Sequence, residues 1–344
     1  MNLQNGTPWP ANLTIAFDKN GHEQVVVVTK ATFELPVVQG NTCRPSSAPL
    51  PLTEADVFGP DPGQDAVRME NDFAPHKPLC DIVCYGDAFA PDGRPVTELG
   101  VGLRLGNWSK VFTVHGSRIW LKTAGGYRVS DKRPFVRQPI GYDHAFGGTD
   151  PDPDDPSRST ALDENPAGLG YYPNLRNREG AALAHTSEFR GDATDPTGRF
   201  PPRALGPVGR NWLPRRRHVG TYDEAWTESR MPFLPEDFDY RYFQTTAEDQ
   251  QIPYPQGGEP IEIVNLSPSG RIATQLPTME VVVVFERKSG RITQRVANLD
   301  TVAFFPEQGL LTMAYRTRIT AERDIFEFAR ITVSAHGPEG AISG

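Results

Sequence analysis

The sequence predicts a mainly β fold: sandwich-like antiparallel layers with a long irregular, loop-rich central segment carrying one or two short helices. Three observations point there. Gly (32) and Pro (33) make up about 19% of the 344 residues, against roughly 12% in ordinary usage. Inside a helix Pro costs about 3 kcal/mol and Gly about 1, which argues against long helices, coiled coils and bundles. The apolar residues recur in short runs with period-2 alternation, bounded by turn chemistry. Finally, 18 Phe, 10 Tyr and 5 Trp are far too many aromatics for a solvated chain. At this length folding buries about 75% of the extended surface, so a sizeable core is available.

Strands dominate residues 1–140. Thr14–Phe17 and Gln24–Phe33 flank Asn20-Gly21, a strong hairpin signal. Asp81–Phe89, Val96–Leu105, Lys110–His115 and Arg118–Lys122 follow. In Val96–Leu105 the residues Val101, Leu103 and Leu105 share one face while Arg104 points the other way. Pro91-Asp92-Gly93-Arg94 has the residues of a tight reversal.

In residues 141–255 the periodic signal nearly vanishes. One helix is expected where Thr221-Tyr-Asp-Glu224 has the form of a capping box, continuing through Trp226 and stopped near Arg230 by Pro232. A second is expected to begin at Pro235-Glu236-Asp237. Long irregular stretches are either disordered or functional surface; the aromatics here, able to anchor loops on a scaffold, favour a surface.

Residues 256–344 return to strands: Ile261–Leu266, Arg271–Leu276, Val281–Arg287, Arg291–Val296, Thr301–Phe305, Leu310–Arg316 and Ile325–Ala335. The three zones are read as an N-terminal β region, an aromatic and Arg-containing arm, and a C-terminal β region, with one compact unit as the alternative.

A net charge of −8 repels phosphate backbones, so no nucleic-acid partner is expected. Cys43, Cys80 and Cys84 suit a reducing compartment better than a disulfide framework. The start MNLQNGTPWP has no signal-peptide pattern and the longest aliphatic runs are only four residues, so a cytoplasmic protein without membrane insertion is expected.

Local signatures for catalysis are missing. Asp150-Pro-Asp152-Pro-Asp154-Asp155 lacks the Gly and Glu of a calcium loop and reads as a turn-capping acidic loop. Cys80 and Cys84 would lie about 13 Å apart on one strand face, too far for a shared zinc, and read as buried thiols. His144 beside Asp143 reads as a loop histidine, with a general base as the sharper alternative. Gly100-Val-Gly102-Leu-Arg-Leu-Gly106 opens no helix and is not a dinucleotide fingerprint. No catalytic residue, cofactor or metal is expected. Arg215-Arg-Arg-His218 reads either as paired internally with acids or as docking an acidic partner surface.

Ordered segments carry more information. They include Val25-Val-Val-Val-Thr-Lys-Ala-Thr-Phe33, Glu70-Asn-Asp-Phe-Ala-Pro-His-Lys-Pro78, Ala90-Pro-Asp-Gly-Arg-Pro-Val-Thr-Glu98 and Tyr142-Asp-His-Ala-Phe-Gly-Gly148. Asn165-Pro-Ala-Gly168, Pro173-Asn-Leu175, Gly220-Thr-Tyr-Asp-Glu-Ala-Trp226, Leu234-Pro-Glu-Asp-Phe238, Phe243, Asp249-Gln-Gln251 and Gly257-Gly-Glu-Pro260 continue the series. Over residues 1–270 the chain resembles a bacterial family catalogued as a domain of unknown function and found beside type VI secretion genes. The resemblance implies a cytoplasmic adaptor or chaperone that binds a toxic effector protein and helps load it onto the secretion spike protein. It supplies no catalytic residues. With it, residues 141–255 are expected to present the partner surface, with Phe146, Trp212, Arg215, Arg216, Arg217, Tyr222 and Trp226 as candidate contacts. A competing expectation is that these aromatics pack internally and an exposed sheet edge recruits the partner by strand addition. The alternatives of other classes are a carbohydrate-active or other hydrolase using two of Asp143, Asp150, Asp152 and Asp154, and a structural component of the secretion particle.

Overall fold

A computed structural model describes residues 1–37, 40–59, 61, 65–152, 154–174, 178–337 and 340–342. Pro153 of the acidic run and Leu175 of the ordered segments lie outside them. The chain opens with β1 (Asn2–Asn5), β2 (Ala11–Phe17) and β3 (Glu23–Glu34). Between β2 and β3 the chain reverses at the expected place. Asp18 Oδ1 accepts from the N–H groups of Asn20 and His22, and Gly21 takes a φ of +81°, open to glycine at little cost.

The protein is mainly β, built on three sheets. The largest runs in the order Gln251–Ile252, Cys80–Cys84, Asn298–Phe305, Leu310–Thr320, β3, β2, with Arg44–Pro45 paired to β3. The second runs Thr186–Glu188, Trp108–His115, Glu98–Leu105, Pro260–Val264, Arg271–Gln275. The third runs β1, Phe328–Gly337, Glu280–Arg287, Ile292–Val296. Pairing in these sheets is antiparallel except in two places: Cys80–Cys84 lies parallel to Asn298–Phe305, and β1 parallel to Phe328–Gly337. Parallel neighbours need long crossovers, and both joins bring the start of the chain against its end. Strands from residues 1–140 and 256–344 therefore share sheets.

Side-chain alternation decides what each sheet buries. Val101, Leu103 and Leu105 are interior and Arg104 is exposed, as period 2 requires. They join Val25, Val27, Phe285, Phe304 and Phe328 in one apolar cluster fed by all three sheets, and each Å² removed from water there contributes about 25 cal/mol. β3 is different, because it is buried on both faces. Its second face, with the neighbouring strands, carries a layer of enclosed ion pairs. Lys30 meets Asp72 at 2.8 Å, Lys77 meets Asp81 at 2.8 Å, and Arg316 meets Asp300 at 2.5 Å. Buried charges persist only when paired and hydrogen-bonded.

Several boundaries depart from expectation. The run Asp81–Phe89 is split at Tyr85-Gly86 into Cys80–Cys84 and Asp87–Phe89, and Ile325–Glu327 forms a 3₁₀ turn before the last long strand. Two short helices stand in the central segment, α1 (Leu213–Arg216) and α2 (Glu224–Ser229). α1 was unexpected. The cap of α2 is Asp223, whose carboxylate accepts from the Trp226 N–H at 2.9 Å. Thr221 instead bonds the Asp237 carboxylate through its N–H and Oγ1. That use of Asp237 accompanies a simple turn at Pro235-Glu236-Asp237, where the second helix was expected; a 3₁₀ turn follows at Tyr240–Phe243. Among the described residues no helix is long and apolar enough to cross a membrane.

Candidate partner-binding surface

The seven candidate contacts divide into two groups. Phe146, 1% exposed, sits among Leu162, Tyr171, Ala184 and Ala193, with Phe200 edge-on at 5.0 Å. Trp212 packs with Ala66, Ala145 and Val208 and meets the Tyr142 ring edge-on at 5.7 Å. Arg215, 2% exposed, grips Glu70 with its two terminal guanidinium nitrogens at 2.6 and 2.9 Å and donates to the carbonyls of Val208 and Tyr242. The expectation that these three meet a partner is corrected: they are interior anchors that hold the arm to the scaffold. Arg210 reinforces the same acid cluster, pairing with Asp56 at 3.0 Å and Glu70 at 2.7 Å.

Arg216, Arg217, Tyr222 and Trp226 lie further out. Arg216 stands 3.4 Å from Asp163 and Arg217 pairs with Glu248, both across exposed surface, where ion pairs are worth about 0–1 kcal/mol. Tyr222, 50% exposed, packs edge-on against Trp226 at 4.7 Å. The Trp226 indole N–H donates to the Phe233 carbonyl, and the Phe233 ring lies 5.8 Å from Phe17 at the end of β2. Arg230 closes the arrangement by donating to the Lys19 carbonyl in the β2–β3 turn. Tyr222, Trp226, Phe233 and Phe17 thus form a continuous aromatic surface joining the arm to the largest sheet, with Met231 and Ile15 also exposed. Phe17, Ile15, Met231 and Phe233 were missed at the sequence level, because nothing local shows that β2 ends a sheet.

The candidate acids are engaged separately. Asp143 pairs with Arg68 at 2.8 Å and lies 3.5 Å from His144 Nε2. Asp150 is buried and accepts from the Asn174 N–H. Asp152 Oδ1 accepts from the N–H groups of Asp154 and Asp155, the turn-capping role expected of it. His144 stacks on His185 with rings 4.9 Å apart.

One arrangement was not legible at all. His115 Nε2 lies 2.8 Å from Ser187 Oγ, and Glu98 Oε2 is 3.3 Å from His115 Nδ1. The residue types are those of a nucleophile, base and orienting acid, but Ser187 Oγ donates to the Gly191 carbonyl at 2.8 Å. The Glu188 carbonyl stands 3.1 Å from the same hydroxyl, so two carbonyls compete with Nε2 for its single proton. Both side chains are buried, and the contact ties Trp108–His115 to Thr186–Glu188.

Burial, helped by the charges of Arg118 and Lys132, lowers the His115 pKa to about 4. Burial and the neighbouring His144 and Arg118 do the same for His185. Both stay neutral in the fold, whereas unfolded imidazoles take a proton near pH 6.5. Unfolding thus takes up protons, and stability should fall as the pH drops from 6.5 toward 4. Urea midpoints across that range are expected to decline in the native chain and to decline less in His115→Gln; parallel profiles would contradict this.

Cys80 and Cys84 are buried free thiols, as expected; burial raises both, Cys84 to about 12. Among the described residues no group of three or more His, Cys, Asp or Glu is placed to hold a metal ion. Trp212 also lines, with Phe58, Tyr172 and Arg210, a groove of about 820 Å³.

Neither the curated proteins nor the solved structures contain a match to this chain. A family model described as an uncharacterized protein conserved in bacteria (DUF2169) matches residues 20–316. That span takes in β3, the whole second sheet and the whole arm, while β1, β2 and Phe328–Gly337 lie outside it, and the chain belongs to this bacterial family.

Proposed function

We propose that this protein is a cytoplasmic adaptor that binds a toxic effector protein of a type VI secretion system and helps bring it to the secretion spike. The observation that carries the reading is the surface on which Tyr222, Phe233 and Phe17 are exposed, joined by the half-buried Trp226, whose ring meets Tyr222 and whose N–H holds the Phe233 carbonyl. Aromatic side chains held rigidly at a surface are the usual anchors of protein–protein contacts. Phe17 stands on β2 and the other three on an arm fixed by buried ion pairs, so little ordering cost remains to be met on binding. The ordered segments shared with the secretion-linked family support the choice of partner. Free thiols at Cys43, Cys80 and Cys84 fit a reducing compartment.

The test is affinity purification from the native bacterium with identification of bound proteins, comparing the native chain with Tyr222→Ala/Met231→Ser. An effector and spike protein should accompany the native chain, with the effector reduced at least tenfold in the double variant at an unchanged melting temperature. Absence of any secreted toxin from the native preparation would overturn the reading.

A further inference from the structure

The surface built by Tyr222, Met231, Phe233 and Phe17 carries charge of one sign. The two stretches that form it, residues 15–23 and 221–237, hold seven carboxylates against two cations, Lys19 and Arg230. Both cations are already engaged. Lys19 Nζ approaches the Glu236 carbonyl at 3.4 Å and its charge acts on Asp237. Arg230 donates to the carbonyls of Lys19 and Leu234. Beside Phe17, Asp18 accepts from the Asn20 and His22 N–H groups and meets His22 Nδ1 at 3.2 Å, and Glu23 accepts from the Ile325 N–H. A carboxylate keeps its charge in accepting such bonds, so this end of the surface is acidic as well.

α2 sets acids and apolar groups side by side. Glu224 and Glu228, four residues apart, share its solvent side. Trp226 turns the other way, to the Phe233 carbonyl. Tyr222 and Met231, 50 and 61% exposed, stand just beyond the two ends of the helix. Glu224, Glu228 and Glu236 are exposed, with no cation at ion-pair distance among the described residues. Asp237 is held by Thr221 and lies close enough to Tyr222 that its charge, after burial and Tyr242, raises the Tyr222 pKa. Carboxylates this close repel one another, and an approaching cation relieves that repulsion.

From the exposed apolar groups, the unpaired carboxylates and the engaged cations, we infer that this surface takes a cationic amphipathic segment of the partner protein. One side of that segment is apolar and covers Tyr222, Met231, Phe233 and Phe17. Its flanking Lys or Arg side chains reach Glu224, Glu228 and Glu236, or lie over the Tyr222 ring, whose face attracts cations. The same charges disfavour other occupants. A second copy would set carboxylate against carboxylate across a two-fold axis, and an anionic lipid surface or a nucleic acid would be repelled. The inference rests on the adaptor reading in making the partner a protein, and adds the chemistry of the segment that docks.

Two fluorescein-labelled peptides of equal length are the probes, with Leu and Ala on one helical face and either Lys or Glu on the other. Fluorescence anisotropy at physiological ionic strength should show the Lys peptide binding the native chain at least tenfold more tightly. Glu224→Lys/Glu228→Lys should weaken that binding tenfold or more. Glu54→Lys/Glu280→Lys makes the same change of net charge at exposed acids elsewhere and should leave it within threefold. Tyr222→Ala/Met231→Ser should weaken it tenfold as well. In the unaltered chain the Lys peptide should slow hydrogen exchange across residues 222–233. Failure to bind, equal affinity for both peptides, equal losses in the two charge-reversed variants, or unchanged exchange across that stretch would overturn the inference. So would self-association of the native chain that Tyr222→Ala/Met231→Ser abolishes, since a second copy would then be the occupant. If an effector co-purifies equally with Glu224→Lys/Glu228→Lys, this docking chemistry falls and the adaptor reading stands. If the peptides behave as expected but no secreted toxin accompanies the native chain, the adaptor reading falls and the docking chemistry stands.

Discussion

Arg215→Ala should lower the free energy of unfolding by about 3–5 kcal/mol, the cost typical of breaking a buried ion pair from one side. The loss has three sources. Glu70 keeps only its contact with Arg210, the carbonyls of Val208 and Tyr242 lose their donor, and the space beneath the Tyr242 ring is emptied. Folded domains hold only about 5–15 kcal/mol in total, so such a change is visible in any urea titration. Arg216→Ala, one residue along and exposed, is expected to stay within about 0.5 kcal/mol. A difference below about 1 kcal/mol between the two variants would contradict the assignment of Arg215 as an anchor. Replacing the whole arginine run would therefore loosen the arm, and such a variant reports on the anchor before it reports on any surface.

Asp81→Ala is expected to be as severe, about 3–5 kcal/mol. The Asp81 carboxylate accepts from Lys77 Nζ at 2.8 Å, from the N–H groups of Thr245 and Thr246 at 2.8 and 3.1 Å, and from Thr246 Oγ1 at 2.7 Å. Its removal strands a buried ammonium and two backbone donors together. Burial by itself would raise the Asp81 pKa; the Lys77 charge and these hydrogen bonds outweigh it and hold the pKa below the ordinary value of 3.8. A depressed acid stabilises the fold fully above its unfolded pKa, and that contribution is lost as the pH falls through the folded one. The acid limb of the stability profile, below about pH 3.9, should therefore flatten in Asp81→Asn. An Asp81→Ala chain that melts within about 1 kcal/mol of the native one would refute the bridging role given to this carboxylate.

Much of the framework could be read from the residues because local and tertiary demands agree there. Glu98–Leu105 alternates because one face meets the core, and Asn20-Gly21 marks a reversal because glycine alone takes its φ freely. The arm resisted reading for a different reason: aromatic composition carries no direction. Phe146 and Trp212 have the same chemistry as Tyr222 and Trp226, yet only the fold decides which pair faces inward. The arginine run makes the point residue by residue. At about 100° per residue around a helical turn, Arg215 points into the interior while Arg216 and Arg217 point out. The second face of β3 was hidden as well, since a Val run followed by Lys30 does not announce that the lysine is enclosed. Contacts between Glu98, His115 and Ser187 depend on three separate strands and leave no spacing to find.

The enclosed ion pairs beneath the arm have a consequence for how the molecule comes apart. Apolar layers can slide or loosen by degrees, but lifting the arm strips the buried Asp81 carboxylate of the Thr245 and Thr246 N–H groups and separates Arg215 from Glu70. Partial opening is therefore nearly as costly as complete opening, and arm and sheet should melt in a single cooperative step. A loop-rich segment held this way borrows its rigidity from the β framework. Because enclosed pairs are screened far less than surface ones, it keeps its shape at salt concentrations that would release an arm pinned only by surface charge.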